Sequence, residues 1–230
     1  MANHTPHMAE FLSLFNQTAR YHHRYEVFRD FVQMAACALH NGIVHSVTLE
    51  EEYLRIAKRY ERADIERLSQ LLGVLTLGLS LSPGDFLGRI FMELELGESE
   101  RGQFFTPYDI SRMMAAMTLT DLDKVMADKP FITISEPACG AGGMVIALAE
   151  EFMAAGYHLQ RQFFVECVDV DPVAAAMCFI QLTLLGIPAE VITGNSLTLS
   201  HTRVMRTAAY YLHGWQQRLQ GCKIILTTLG

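Results

Sequence analysis

Ile134-Ser-Glu-Pro-Ala-Cys-Gly-Ala-Gly-Gly-Met144 is the stretch whose reading decides the fold. The apolar run from Phe131 to Ile134 has the character of a strand. It ends at Glu136 and Pro137, then at a glycine cluster, then at the apolar helical pattern Met144 to Met153. A strand, a glycine turn and a helix in that order open an α/β unit of the kind that binds nucleotides or cofactors. Without Cβ atoms, Gly140, Gly142 and Gly143 can take unusual dihedrals and let a ligand come close to the backbone. A tight strand-to-helix turn with no ligand would use the same residues, so the rest of the chain has to decide.

Moving outward, the second half alternates. Strands are expected at Phe131–Ser135, Phe163–Val170 and about Glu190–Thr193. Helices are expected at Gly143–Ala155 and Pro172–Leu185, the latter stopped by Gly186. From Thr202 to Gln220, Val204, Ala208, Leu212, Trp215 and Leu219 recur at helical spacing. Gly221 would end that helix, and Lys223 to Thr227 reads as a fourth strand. Such alternation implies a parallel, doubly wound sheet with right-handed crossovers.

The first half reads as helices. Phe28, Phe31, Val32, Ala35 and Leu39 recur at three- and four-residue steps within Phe11–Asn41, and Asn41-Gly42 supplies a stop. Thr48-Leu-Glu-Glu51 matches a capping box. Asp64–Ser80 is a further helix, and Ser82-Pro83 starts another. The expected division is a helical lobe over residues 1–100, packed as a cap on a sheet domain over 101–230. The polar loop Gly97–Arg101 leads into Gly102-Gln-Phe-Phe-Thr-Pro-Tyr108 and a helix over Asp109–Met117. Two phenylalanines in a loop are easiest to explain as a wall against a ligand or against the sheet.

Composition bounds the alternatives. A chain of 230 residues with 50% hydrophobic content can bury an ample core. Net charge −7 gives no bulk electrostatic attraction to nucleic acid. Val191 to Gly230, however, contains no Asp or Glu and carries Arg203, Arg206, Arg218 and Lys223. Mixed there with Tyr210, Tyr211 and Trp215, these cations suit either a nucleic-acid surface or an amphipathic helix with its arginines outward. Cys37, Cys139, Cys167, Cys178 and Cys222 are odd in number, scattered and never paired as C-x-x-C. That reads as reduced thiols in a cytoplasmic protein with no metal site. His4, His7, His22 and His23 lack partners at ligand spacing and read as surface histidines. There is no signal-like segment, and no apolar run reaches the ~20 residues a membrane span needs. Leu71–Leu81 is a core helix by this measure.

The chemistry should collect outside the carboxyl ends of the strands, where strand order reverses. There the glycine turn and Glu136 would meet Asp169, near the end of the second strand, and Asn195 after the third. Asp169 can accept both hydroxyls of a ribose, whereas Asp171 before Pro172 suits a helix N-cap. Asn195 could read an adenine edge or simply hold a turn. No lysine follows the glycines as in a P-loop, and the strict G-x-G-x-x-G spacing is absent. A nucleoside without pyrophosphate fits better, with S-adenosylmethionine as the candidate.

On these residues the chain resembles the S-adenosylmethionine-dependent N6-adenine DNA methyltransferases, in particular the modification subunits of type I restriction-modification systems. Five pieces match in order over about residues 82 to 198. Asp85-Phe-Leu-Gly88 with Phe91 resembles the family's D-x-L-G-x-x-Y-E helix, with Met92 in place of Glu. Gly102-Gln-Phe-Phe-Thr-Pro107 resembles its G-x-F/Y-Y/F-T-P loop. Glu136-Pro-Ala-Cys-Gly-Ala-Gly-Gly143 resembles its D-P-A-C/A-G-T-G-G turn. Asp169 falls at its ribose-binding acid, and Gly194-Asn-Ser-Leu197 resembles its G-D-S/T-L.

The resemblance implies a Rossmann-like class I methyltransferase fold, S-adenosylmethionine as cofactor and DNA as partner. The expected cofactor contacts are Gln103, Phe104, Phe105, Thr106, Pro107, Tyr108, Glu136, Gly140, Ala141, Gly142, Gly143, Asp169 and Asn195. One departure bears on catalysis. Where the family carries N-P-P-F/Y to hold the flipped adenine, this chain reads Leu226-Thr-Thr228-Leu-Gly230, with Thr228 at the place of the Asn. Methyl transfer is therefore expected to be slow or absent. The alternative function is a non-catalytic module acting on a restriction-modification or nucleic-acid partner. A strand at Lys223–Thr227 would be an open apolar edge, calling for another polypeptide or segment to cover it.

Overall fold

A computed structural model describes residues 6–94, 96 and 105–227. Five helices come first: α1 (Pro6–Gln17), α2 (Arg24–Asn41), α3 (Val47–Ala57), α4 (Arg62–Leu81) and α5 (Phe86–Glu93). The sequence pattern runs α1 and α2 together. They separate at residues 18–23, where Ala19 takes φ +42°. Polar contacts from outside the pattern hold that corner. The Asp64 carboxylate accepts the Ala19 N–H at 2.9 Å, and the Arg24 guanidinium donates to the carbonyls of Thr18 and Ala19 at 2.9 and 2.6 Å. Ser46 rather than Thr48 caps α3, accepting the Leu49 N–H. Asp85, two residues after Pro83, caps α5 through the Gly88 N–H at 2.9 Å.

The second half contributes α6 (Tyr108–Thr118), α7 (Leu122–Met126), β1 (Ile132–Glu136), α8 (Gly143–Ala154), α9 (Leu159–Gln162), β2 (Phe163–Asp169), α10 (Pro172–Leu184), β3 (Ala189–Asn195), β4 (Ser200–Arg206), α11 (Ala208–Leu212) and α12 (Trp215–Thr227). This is the Rossmann-like α/β arrangement, with strand order β1-β2-β3-β4. β1, β2 and β3 are parallel, in register at Glu136 with Cys167 and at Asp169 with Thr193. The described sheet shows no reversal of strand order; its edges are β1 and β4.

β4 departs from the sequence reading. Residues 200–206 pair antiparallel with β3, matching Val191 to Met205 and Glu190 to Arg206, with a bulge at Thr193/Gly194. Gly194 is required there, since a Cβ would overlap the Ser200 carbonyl oxygen. Val204, expected on a buried helical face, is instead an exposed strand residue. Lys223–Thr227 is the last turn and a half of α12, not a strand. A helix already nucleated at Trp215 extends through Gly221 for about 1 kcal/mol, whereas a strand would have to begin anew and find a partner. The open edge expected at Lys223–Thr227, and the partner to cover it, lose their structural basis. Thr228 lies outside the described residues.

One apolar core runs from Met8 in α1 to Met205 in β4 and takes in both halves of the chain. In the helical half the Phe11 and Phe15 rings stack, and the other contacts among Phe11, Phe15, Phe28, Phe31, Phe86 and Phe91 are edge-on or tilted. β2 alternates between faces: Phe163, Val165 and Cys167 join the main core, while Phe164 packs with Tyr210 and Trp215 on the other side. The Trp215 indole N–H donates to the Gln160 carbonyl at 2.9 Å, and Arg218 stacks on the ring at 4.2 Å. The aromatic–cation mixture of the tail is thus spent on packing, although Leu212, expected inside, is 78% exposed.

Candidate functional site

A cavity of about 640 Å³ opens at the carboxyl ends of β1 and β2, a volume ordinary for a small-ligand site. Its floor is the glycine turn. Gly140 has φ +53° and Gly142 φ +94°, conformations other residues rarely adopt. The turn is tied to β2 by the Cys139 N–H donating to the Val168 carbonyl at 2.9 Å. A Cβ on Gly140 would come within 2.9 Å of the Phe105 ring. That ring packs 5.3 Å from Phe91 and forms one wall, the role anticipated for Phe105.

Gly140, Ala141, Gly143, Glu136, Asp169, Phe105 and Thr106 line the cavity together. The Asp169 carboxylate accepts the N–H of Gly140 at 2.8 Å on one oxygen and that of Asp171 at 2.9 Å on the other. Burial pushes its carboxyl above the ordinary aspartate range, against these hydrogen bonds. Asp171 caps α10 by accepting the Val173 N–H at 2.9 Å, as anticipated.

Four expected contacts fall elsewhere. Pro107 and Gly142 do not line the cavity. The Tyr108 hydroxyl points away and donates to Glu150 at 2.8 Å, where burial and this carboxylate push the phenol up. The Asn195 carboxamide oxygen accepts the N–H groups of Leu197 and Thr198 at 2.9 and 3.1 Å; it holds the turn before β4 and does not line this cavity. Gln103 and Phe104 lie outside the described residues.

Other residues reach the cavity without having been singled out. Tyr25 arrives from α2. Ser111 on α6 is buried, lines the cavity, and its hydroxyl has no hydrogen-bond partner among the described residues. Asp85 lines it too, fully enclosed, its carboxyl pushed up by burial. Gln181 in α10 organises this corner. Its amide nitrogen donates to Asp85 at 2.9 Å and to the Ala141 carbonyl at 2.8 Å, and its oxygen accepts the Leu87 N–H at 2.9 Å. A Cβ on Gly88 would collide with the Asp85 carboxylate, which explains glycine three residues after that aspartate.

The lining is one-sided in charge. Asp85, Glu136, Asp169 and Asp171 contribute carboxyl groups, and no lysine, arginine or histidine is among the lining residues that the structure describes. Such a site repels a pyrophosphate and suits a ligand carrying positive charge.

This combination, a Rossmann-like sheet with a glycine turn facing an acid across the tips of its first two strands, defines a nucleoside-cofactor class of α/β protein. The chain belongs to the N-6 DNA methylase family, whose model matches residues 89–212, more than half its length. Among solved structures it is similar to one described as a class I S-adenosylmethionine-dependent methyltransferase from Listeria monocytogenes. The identity is 16% and the TM-score 0.41, over 80% of this chain and 51% of that one. The chain therefore spans about half the length of that structure. No curated protein matches the chain.

Proposed function

We propose that this chain binds S-adenosylmethionine in the acidic cavity and provides the cofactor-holding part of an adenine-N6 DNA methylase of the restriction-modification kind. The observation that carries the reading is the placement of bare backbone at Gly140–Ala141 opposite the Asp169 carboxylate, in a cavity whose described lining residues include no basic group. The residues fit the cofactor: the close backbone can face the nucleoside, Asp169 has acceptor capacity left for ribose hydroxyls, and Ser111 offers a buried hydroxyl without a partner. Glu136 and Asp85 supply negative charge for a sulfonium and an ammonium group. The bound cofactor would supply an electrophilic methyl group; the protein's part is to orient it, exclude water behind Phe105 and hold the turn rigid through Gln181.

Calorimetry with S-adenosylmethionine tests this. Binding to the unaltered chain is expected. Asp169→Ala should weaken it ~10–100-fold, the range for losing hydrogen bonds to a charged acceptor. Ser111→Ala, which leaves the turn intact, should cost ~2–10-fold. Absence of heat from the unaltered chain would end the reading.

The second reading, a module that binds without transferring, applies to the 230-residue chain taken alone. No Asn-Pro-Pro run occurs in the 230 residues, and the family resemblance gives that run the task of holding the target amine. The 230-residue chain alone is expected to bind cofactor but leave unmethylated DNA unlabelled by tritiated S-adenosylmethionine. Robust incorporation would show that other residues hold the base.

A further inference from the structure

Behind the glycine turn the fold gathers three thiols that the sequence scatters. Cys139 sits in the turn, Cys167 in β2 and Cys178 in α10, and their sulfurs all lie within 4.8 Å of one another. All three are free and buried. We infer that Cys139, Cys167 and Cys178 form a binding site for a soft monovalent d10 cation, probed as copper(I), held by three sulfurs. The inference stands whether or not the cavity takes a nucleoside.

Geometry is the first argument. A metal–sulfur bond of ~2.3 Å at the centre of a triangle places its sulfurs ~4 Å apart, so side-chain adjustments suffice to close the trio on an ion. The three anchors lie on separate elements whose backbone is already fixed, the turn by its bond to Val168 and β2 by its ladder to β1 and β3.

Ligand chemistry is the second. The cluster is all sulfur, with no histidine or carboxylate in the group among the described residues. Structural zinc takes four ligands, whereas a set of three soft thiolates with no fourth ligand among the described residues suits copper(I).

Access and charge are the third. Cys167 and Cys178 are fully enclosed, but Cys139 lines the acidic cavity, which gives a cation an entry path. Cys178 lies beside Gly142, the N-cap of α8, where a Cβ would come within 3.1 Å of its sulfur. The positive end of that helix offsets negative charge left on the sulfurs. As each metal–sulfur bond forms, the S–H proton of that cysteine is released to solvent.

The test is an anaerobic titration of the reduced 230-residue chain with copper(I) against a chromophoric copper(I) chelator, followed by X-ray absorption. One ion per chain and a shell of three sulfurs are expected. Cys139→Ser, Cys167→Ala and Cys178→Ala should each lose more than the ~100-fold that even an outer-shell partner can cost. Cys37→Ala and Cys222→Ser should retain binding. Failure to take copper from the chelator, loss of binding in the Cys37 or Cys222 variants, or oxygen or nitrogen in the shell of the unaltered chain overturns the inference. The absorption measurement decides the matter even if a variant in the trio does not fold. Zinc held in preference, with a fourth ligand, would overturn the choice of ion.

Discussion

Asp169 carries two duties at once: it holds the N–H groups of Gly140 and Asp171, and it faces the cavity. Its carboxyl is raised by burial, so the folded protein binds that proton more tightly than the unfolded chain does. The stability this gives is complete below the ordinary aspartate pKa and is lost as pH rises through the raised value. Ligand affinity should move the other way, because ribose hydroxyls need an ionised acceptor. S-Adenosylmethionine binding is expected to strengthen from acid to neutral pH, with its midpoint above the ordinary aspartate range. Asp169→Asn should flatten the profile; a residual step would belong to Asp85, also raised by burial. Calorimetry across pH checks this, and a profile unchanged by Asp169→Asn would sink it. Gln181 is the complementary case. Gln181→Leu leaves the Ala141 carbonyl and the Leu87 N–H without their Gln181 partner and removes one of the two hydrogen bonds to Asp85, which keeps the Gly88 N–H; at about 1–3 kcal/mol per orphaned group it should be among the costlier single substitutions in urea unfolding. The sequence shows Asp169 plainly because it follows an apolar run. It shows Gln181 only as a polar residue in a largely apolar helix, with nothing to say that its partners lie almost a hundred residues upstream and forty upstream.

At the scale of elements, β3 and β4 meet through a close backbone approach at Gly194 and a cross-strand pair of Arg206 with Glu190 at 2.5 Å. These should differ in weight. A methyl group at Gly194 would overlap the Ser200 carbonyl oxygen, a backbone clash that moving the nearby His201 ring cannot relieve, so Gly194→Ala is expected to cost ~1–3 kcal/mol, typical of overpacking. Arg206→Ala removes a partly exposed ion pair and should cost ~1 kcal/mol or less. Urea denaturation of the two variants tests the ranking, and equal effects would mean that the hairpin relaxes around Gly194. The same hairpin shows what a sequence hides. β1, β2 and β3 are legible as apolar runs between turn signals, and α8 and α10 as apolar helices after glycine or an Asp-Pro cap. In β4 only Met205 is buried; its existence rests on a ladder to β3, which is not local information. Ile224-Ile-Leu226 has strand propensity, yet the helix running into it from Trp215 prevails.

The whole molecule poses the question of whether residues 1–100 and 101–230 are two units. The sequence suggests a cap and a sheet domain because its periodicity changes from helical to alternating. Packing argues for cooperation: the main core is continuous from α1 to β4, and Arg203 of β4 reaches Glu52 of α3 at 2.5 Å. The chain has a single tryptophan, Trp215, on the face of the sheet opposite the helical half and outside the main core. Its fluorescence therefore reports unfolding at a place remote from the early helices. Phe28→Ala empties a fully buried position among the Phe15, Phe31 and Phe91 rings, a change that costs ~3–5 kcal/mol. If one core holds the molecule, that loss must appear undiminished at Trp215, with fluorescence and far-ultraviolet dichroism shifting together to a lower denaturant midpoint. If the early helices melt by themselves, dichroism will fall first and the Trp215 transition will stay where it was in the unaltered chain. Coincident curves would also mean that the cavity, whose walls come from Tyr25 and Asp85 on one side and Gly140 and Asp169 on the other, persists only while both halves are folded.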